Sequence, residues 1–201
     1  MKARLLPNIS TAILILLTGA ACSSSGNREF KEALNQEQEV AKLFAGNIRP
    51  QLPENGQILV LVSPDIGPRL LEARNHRLQG FRQALGSERI QVVPITHAED
   101  PRLMMVENDE VPVDLFLEAI KANPQAVAVI SLIGFPHDQA AAPLPLPVYL
   151  YGISHQELAW QAMEQGWASA VLYYRGASDE PARSTSPISH ELLASYIMET
   201  R

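Results

Sequence analysis

Unbroken apolar runs alternate with amphipathic stretches along most of this chain. Ile58 to Val62 is an apolar run without a polar break, the pattern of a strand that is buried on both faces. Between Leu70 and Leu85 apolar residues recur every three or four positions, which predicts a helix with one mostly apolar face. Gly86 follows, where a helix-ending glycine is expected. A buried strand, a short turn and an amphipathic helix predict the first half of a βαβ unit.

The same alternation continues through the rest of the chain. Further strands are predicted at 89–95, 126–133, 147–151 and 168–174, and further helices at 113–123, 155–165 and 188–198. Five strands with helices between them at the spacing of parallel crossovers predict an α/β fold. We expect a single doubly wound, mostly parallel five-stranded sheet of the flavodoxin-like type, in the order 2-1-3-4-5. Residues 134–147 are rich in proline and alanine, so a loop is predicted there.

A further helix is predicted before the sheet, at 28–45, after a short flexible tether at 23–27. Either it is a stalk or a helix packed on the domain, or it binds a partner. The predicted organisation is a signal peptide at 1–21, a tether and linker helix at 22–56, and an α/β domain at 57–201.

The N-terminus has the pattern of an export signal. Lys2 and Arg4 precede a largely apolar stretch that is too short to span a bilayer, and small residues lead to Cys22, the only cysteine. A lone cysteine in this position resembles the lipobox of bacterial lipoproteins. The resemblance implies cleavage before Cys22, acylation with fatty acids such as palmitate, and a membrane anchor. Ser23 then implies sorting to the outer membrane, facing the periplasm; an ordinary secreted protein is the alternative.

Composition and motifs exclude several functions. Apolar residues make up 46% and charged residues 19% of the chain, as in ordinary globular proteins. The formal net charge is −6 and no basic run is present, so no nucleic-acid partner is predicted. Glycine-rich phosphate cradles and the G-x-S-x-G nucleophile elbow are absent from the sequence. No cofactor is predicted.

The helix after the first strand contains a recognisable motif. Arg77 to Leu85, RLQGFRQAL, has the form R-x-x-G-F-x-x-A-L. It resembles the first helix of the second lobe in type I periplasmic solute-binding proteins and lactose-repressor-type regulators. The resemblance extends over 57–176, or one lobe, whereas the family holds its ligand between two lobes. From the residues themselves we expect Gly80 to let the helix approach the sheet and Phe81 to fill the core.

In doubly wound sheets, ligands bind beyond the carboxyl ends of the strands, where the strand order reverses. The polar residues expected there are the candidate ligand-binding residues. They are Ser63 and Asp65 after the first strand, His97 after the second, His137 and Asp138 after the third, His155 after the fourth, and Arg175 after the fifth. Hydroxyls and carboxylates suit a small polar solute. The nearby Phe135, Tyr151, Tyr173 and Tyr174 offer aromatic faces for a sugar, unless Tyr151 and Tyr173 point into the core.

Three hypotheses about function remain open. The first is a membrane-anchored envelope lipoprotein whose non-enzymatic domain binds a small molecule or an envelope protein. The second is a hydrolase or metal-dependent enzyme that uses the histidines and aspartates named above, because imidazoles and carboxylates bind metal ions and transfer protons. The third is a structural envelope lipoprotein without a ligand. Neither a metal nor a catalytic residue is assigned.

Overall fold

The computed structural model describes residues 24–64, 67–95, 110–137, 144–153, 156–174 and 196–200. Its elements, in chain order, are α1 (Ser24–Ile48), β1 (Gln57–Val62), α2 (Pro68–Leu85), β2 (Ile90–Pro94), β3 (Glu110–Pro112), α3 (Val113–Ala122), β4 (Ala126–Ser131), β5 (Phe135–His137), β6 (Val148–Ile153), α4 (Gln156–Glu164), β7 (Ala170–Tyr174) and β8 (Tyr196–Thr200). Short 3-10 helices, Arg49–Gln51 and Ser87–Arg89, precede β1 and β2.

The main sheet has the strand order β2-β1-β4-β6-β7-β8. Its first five strands pair in parallel, and β8 pairs with β7 in antiparallel fashion. The strands expected from the apolar runs are β1, β2, β4, β6 and β7, so the predicted order 2-1-3-4-5 and the doubly wound, mostly parallel α/β fold are confirmed. Every residue of β1 from Ile58 to Val62 is buried, as expected for a strand with both faces covered.

The C-terminal element differs from the prediction. Residues 196–198 were expected to end a helix, but they belong to strand β8. Met198 lies opposite Leu172 of β7 and is buried. The residues from Tyr196 to Thr200 pair one by one with β7 in antiparallel register, and this pairing favours a strand over the end of a helix. The rest of the predicted helix lies outside the described residues, as do the predicted signal peptide and Cys22.

A second, two-stranded sheet pairs β3 with β5 in parallel. A loop was expected over 134–147, but Phe135 to His137 form β5 instead. Phe135 and Val111 are both buried, so this small sheet contributes to the core. Gly134 precedes β5 with a φ of 110°, a left-handed backbone conformation that favours glycine.

Alternate strand residues build two separate apolar layers, one on each face of the sheet. On one face Val60 packs with residues of α1 and α2, including Phe44 and Phe81. On the other face Leu61 packs in the layer that contains Phe116 of α3, together with Ala159 and Ala162 of α4. The two-residue period of a strand explains why neighbours in β1 serve opposite layers.

Helix α1 is packed on the sheet and is not a free stalk. It begins at Ser24, so the expected tether is helical from that residue, and it continues past Gly46 to Ile48. Phe44 is 1% exposed and Ala45 and Ile48 are fully buried, because the last turns of α1 cover the sheet beside α2. The helix therefore shares a core with the sheet.

Helices α1 and α2 run parallel and touch closely. The Arg69 guanidinium lies 5.5 Å from the ring centroid of Phe30, and the Phe81 ring lies 6.4 Å from that of Phe44. Residue numbers thus increase together along both helices. Since α2 returns antiparallel to β1, α1 also runs antiparallel to the parallel strands.

Gly80 is where the two helices approach most tightly. A Cβ atom at this position would overlap the carbonyl oxygen of Gln38 and lie 2.9 Å from both Ala41 Cβ and Lys42 N. The expectation that this glycine admits the sheet is wrong, because the neighbour it admits is α1. The expectation that Phe81 fills the core is confirmed, since its side chain is fully buried.

We expect Gly80→Ala to destabilise the protein, because overpacking typically costs about 1–3 kcal/mol. The matched control is Gly46→Ala, also within a helix, where an added Cβ meets nothing within 4 Å. There alanine should stabilise by about 0.5–1 kcal/mol through helix propensity. Urea unfolding of both variants measures the difference, and equal stabilisation by the two substitutions would show that the helices do not touch at Gly80.

Candidate binding edge of the sheet

The carboxyl edge of the sheet, where the parallel strands end, contains the point at which strand order reverses. From β1 the chain first adds β2 on one side and later adds β4 on the other. The last backbone hydrogen bonds along β1 are donated by Leu132 N to Leu61 O, at 3.0 Å, and by Ile95 N to Val62 O, at 2.9 Å. Ser63 is the first residue beyond these bonds. Loops that leave such a point in opposite directions border a crevice.

An arginine of α2 holds the loop after β1. Arg74 Nη1 donates hydrogen bonds to the carbonyl oxygens of Ser63, at 2.6 Å, and Pro64, at 3.0 Å. Charge-assisted bonds of this kind are stronger than neutral ones and fix the loop relative to the helix. The buried Nε of Arg74 has no hydrogen-bond partner within the described part of the chain. Arg74 is therefore a positioning residue for Ser63.

The start of α2 lies at the same edge of the sheet. Gly67 has a φ of 82°, and its carbonyl accepts a hydrogen bond from Leu71 N at 2.9 Å. Pro68 occupies the first turn, where its missing N–H costs nothing. The chain thus makes a sharp change of direction between the end of β1 and the helix, and this turn brings the helix start to the carboxyl edge.

A buried serine closes the turn after β4. The hydroxyl of Ser131 donates to Gly134 O at 2.5 Å and accepts from Ile133 N at 3.4 Å. Both bonds lie within the turn, so the hydroxyl serves the backbone and is not offered to a ligand. This compact turn directs the chain out of the main sheet into β5, which carries His137.

Most of the candidate residues fall outside the described part of the structure. Ser63 is half-buried at the end of β1, and the backbone of His137 ends β5 in register with Pro112. The others, which lie outside the described residues, are Asp65, His97, Asp138, His155 and Arg175. Their convergence stays a prediction. In the described ranges no group of three His, Cys, Asp or Glu side chains could hold a metal ion.

The aromatic residues expected near this edge belong to the core. Phe135, Tyr151 and Tyr173 are 1%, 3% and 0% exposed. The hypothesis that these three rings form a platform for a sugar is wrong, and the alternative that Tyr151 and Tyr173 point into the core is correct. The reason is the period of two along each strand, which turns these positions toward the packed layers. The side chain of Tyr174 lies outside the described residues. Burial also raises the pKa of Tyr149 above its usual value, so its hydroxyl stays neutral.

A buried ion pair joins α1 to α2 near the end of β6. Arg77 Nε donates to Glu37 Oε2 at 2.7 Å, and the Glu37 side chain is only 5% exposed. The Arg77 guanidinium lies 5.8 Å from the ring centroid of Tyr151, whose hydroxyl is 3.5 Å from Glu37 O. The Tyr151 ring also meets Phe44 and Phe81 edge to face, at 5.5 and 5.4 Å. These contacts connect α1, α2 and β6, so the residues that make them have a structural role.

Two signals in the sequence could have revealed the charged residues that hold this edge. Glu37 interrupts the apolar face of α1, and Arg74 stands at an apolar position of α2. A charged residue within an apolar stripe needs a partner once it is buried. Glu37 and Arg74 therefore each predict a buried polar contact, but the sequence does not identify the partner group.

Known sequences include no match to this chain at the level of families or curated proteins, whereas solved structures include similar folds. No protein-family model matches this sequence, and no curated protein matches it. Among the described residues, no helix is both long and apolar enough to cross a membrane.

Several solved sugar-binding proteins of transport systems have a similar structure. One is the solute-binding protein of an ABC transporter from Burkholderia graminis in complex with D-arabinose, with 14% identity and a TM-score of 0.47, covering 68% of this chain and 47% of that one. Another is an arabinose-binding protein from Geobacillus stearothermophilus, with 15% identity, a TM-score of 0.45, and coverage of 68% and 45%. A third is a solute-binding protein from Agrobacterium vitis bound to α-D-tagatopyranose, with 14% identity, a TM-score of 0.44, and coverage of 67% and 43%.

These proteins are of the class that the sequence resemblance indicated. The chain spans less than half of their length, 43% to 47%. The fold rests on the strand order and register of the chain itself.

Proposed function

We propose that this chain is a lipid-anchored protein of the bacterial cell envelope whose α/β domain binds a small polar solute without catalysing a reaction. The observation that carries the proposal is the reversal of strand order between β1 and β4. Open α/β sheets bind ligands beyond such a point. An envelope protein as the binding partner at this edge is the second candidate.

The residues around the crevice favour a neutral polyol or an amine. Ser63 ends β1 in a loop held by Arg74, and Asp65 follows two residues later. Asp138 follows β5 directly. As part of the proposal, we expect Asp65 and Asp138 to line the same crevice, where two carboxylates would accept hydrogen bonds from hydroxyl or ammonium groups and repel anions. D-arabinose, which one of the similar proteins holds, is a neutral polyol and serves as the probe of this proposal.

The anchor is proposed from the N-terminal sequence. The lipobox-like segment ends at Cys22, and Ser23 alone separates this residue from the start of α1. With residues 1–21 removed as a signal peptide, Cys22 would become the acylated first residue. Outer-membrane sorting, with the domain facing the periplasm, is part of the proposal because of Ser23.

Changing Cys22→Ala tests the anchor. Without the thiol no lipid can be attached, so we expect the variant to leave the membrane fraction or to remain unprocessed. Ser23→Ala is the matched control, because it keeps the thiol and should still fractionate with membranes. The measurement is membrane fractionation combined with the intact mass of the protein. A Cys22→Ala protein that stays with membranes at the mature mass would contradict the anchor.

The binding edge is tested by titrating D-arabinose into the protein in a calorimeter. We expect Asp65→Ala and Asp138→Ala to abolish the heat of binding while the midpoint of thermal unfolding stays nearly constant. If the two carboxylates were instead buried structural groups, each variant would lose about 1–3 kcal/mol of stability through unpaired partners.

The control variant is Glu54→Ala. This exposed carboxylate precedes β1, at the amino ends of the strands, so its removal should leave binding unchanged. If the unaltered protein gives no heat with D-arabinose or with other neutral pentoses and hexoses, the solute proposal is wrong. A structural lipoprotein without a ligand then becomes the better account.

A further inference from the structure

We infer that the carboxyl edge of the sheet faces the membrane, and that the first turn of α2 contacts the phospholipid bilayer that holds the Cys22 anchor. This inference rests on the lipid anchor of the proposed function. It adds an orientation and a contact surface, neither of which follows from lipidation alone.

The direction of α1 fixes the side on which the anchor lies. Phe30 packs under Arg69, the second residue of α2, and Glu37 pairs with Arg77 further along. The two helices are therefore parallel, with both starting at the carboxyl edge of the sheet. Because α1 begins there, the residues that precede it must also leave the domain at that edge.

The chain between the anchor and the domain is short. Ser24 is already helical, and the six residues from Ser24 to Glu29 rise about 9 Å before α1 reaches the level of Arg69. Cys22 and Ser23 add at most about 7 Å in an extended conformation. The start of α2 thus lies within about 16 Å of the lipidated residue. The opposite end of α2 is farther by about 26 Å, the rise of its 18 residues.

The surface that points this way is apolar. Within the described part of the chain three large apolar side chains are exposed, Leu70 at 36%, Leu71 at 37% and Leu117 at 41%. Leu70 and Leu71 both lie in the first turn of α2, next to Arg69 and the half-buried Phe30. Exposed leucines beside an aromatic ring are suited to the boundary between headgroups and acyl chains.

The charges near this surface balance. On the exposed start of α1, Arg28 and Lys31 are matched by Glu29 and Glu32, and Arg28 pairs with Glu32 at 2.9 Å. A partner recognised mainly by charge would find no net attraction there. A bilayer held close by a covalent anchor needs none, because the anchor supplies a high effective concentration of the surface.

This orientation turns the crevice between β1 and β4 toward the bilayer. A solute would then enter from a side of the domain that does not contact the bilayer. The membrane would form one wall of the site of this single lobe.

The test places one fluorescent label at either end of α2 in the lipidated, full-length protein. Leu71→Cys puts the label at the carboxyl edge, and Ser87→Cys puts it at an exposed residue just beyond the other end of the helix. Since the Cys22 thiol is occupied by lipid, each variant reacts once. The proteins are reconstituted in vesicles of phosphatidylethanolamine and phosphatidylglycerol that carry a nitroxide on the headgroup. We expect several-fold stronger quenching at Leu71→Cys than at Ser87→Cys.

The possible results separate the two proposals. Equal quenching at both positions, or stronger quenching at Ser87→Cys, in a protein whose mass includes the lipid overturns the orientation but leaves the anchor intact. A mass without lipid overturns the anchor, and the orientation with it. Weak quenching at Leu71→Cys that rises as the protein is diluted within the vesicles would indicate that a second copy covers this surface, and would also overturn the bilayer contact. Unchanged thermal midpoints show that both labelled variants are folded.

Discussion

The close packing of α1 on α2, above Tyr151 of β6, is the contact on which the rest of the structure depends. A doubly wound sheet needs both faces covered, because its strands are apolar on both sides. One face has α3 and α4, but among the described elements the other face has α2 and α1 alone. Without α1, the rings of Tyr151 and Phe81 and the last strands of the sheet would lose their cover on that side.

Three features of the sequence make this packing specific. Gly80 lacks a Cβ atom, which at this position would collide with α1 and hold the two helices apart. Glu37 is buried and pairs with the partly buried Arg77, so sliding the two helices past each other would leave a buried carboxylate without its partner. The edge-to-face contacts of Phe44, Phe81 and Tyr151 then fill the space below. Together these three features fix the direction of α1, and this direction determines at which edge of the sheet the helix begins.

Much of the fold was predictable because buried parallel strands leave an unmistakable pattern. The run from Ile58 to Val62 could form little else, and its regular alternation with helices gave the strand order. Strand β5 was missed because it has only three residues within a proline-rich segment, and strand β8 was missed because its residues were assigned to the end of a helix. Gly80 was recognised as a site of close approach, but the approaching neighbour was wrong because α1 was predicted separately from the sheet.

The site was predictable to a lesser degree. The rule for open sheets placed Ser63 correctly at the end of β1, whereas Arg74, which holds its loop, was read as part of an apolar face. The aromatic residues illustrate the opposite error: Phe135, Tyr151 and Tyr173 were offered to a sugar, and strand periodicity buried them instead. A single sequence shows the periodicity of each strand and helix clearly, but it identifies contact partners poorly. The partners lie far apart along the chain, 11 residues for Arg74 and Ser63 and 40 residues for Arg77 and Glu37.

The central claim is that α1 folds as one unit with the sheet and thereby connects the anchored end of the chain rigidly to the carboxyl edge. Hydrogen–deuterium exchange of the full chain, followed residue by residue, tests this most directly. The account predicts that amides of 40–45 in α1 and 58–62 in β1 exchange with the same free energy of opening, that of global unfolding. Exchange of the α1 amides by local opening, with β1 still fully protected, would show a tether that merely rests on the domain and would contradict the account.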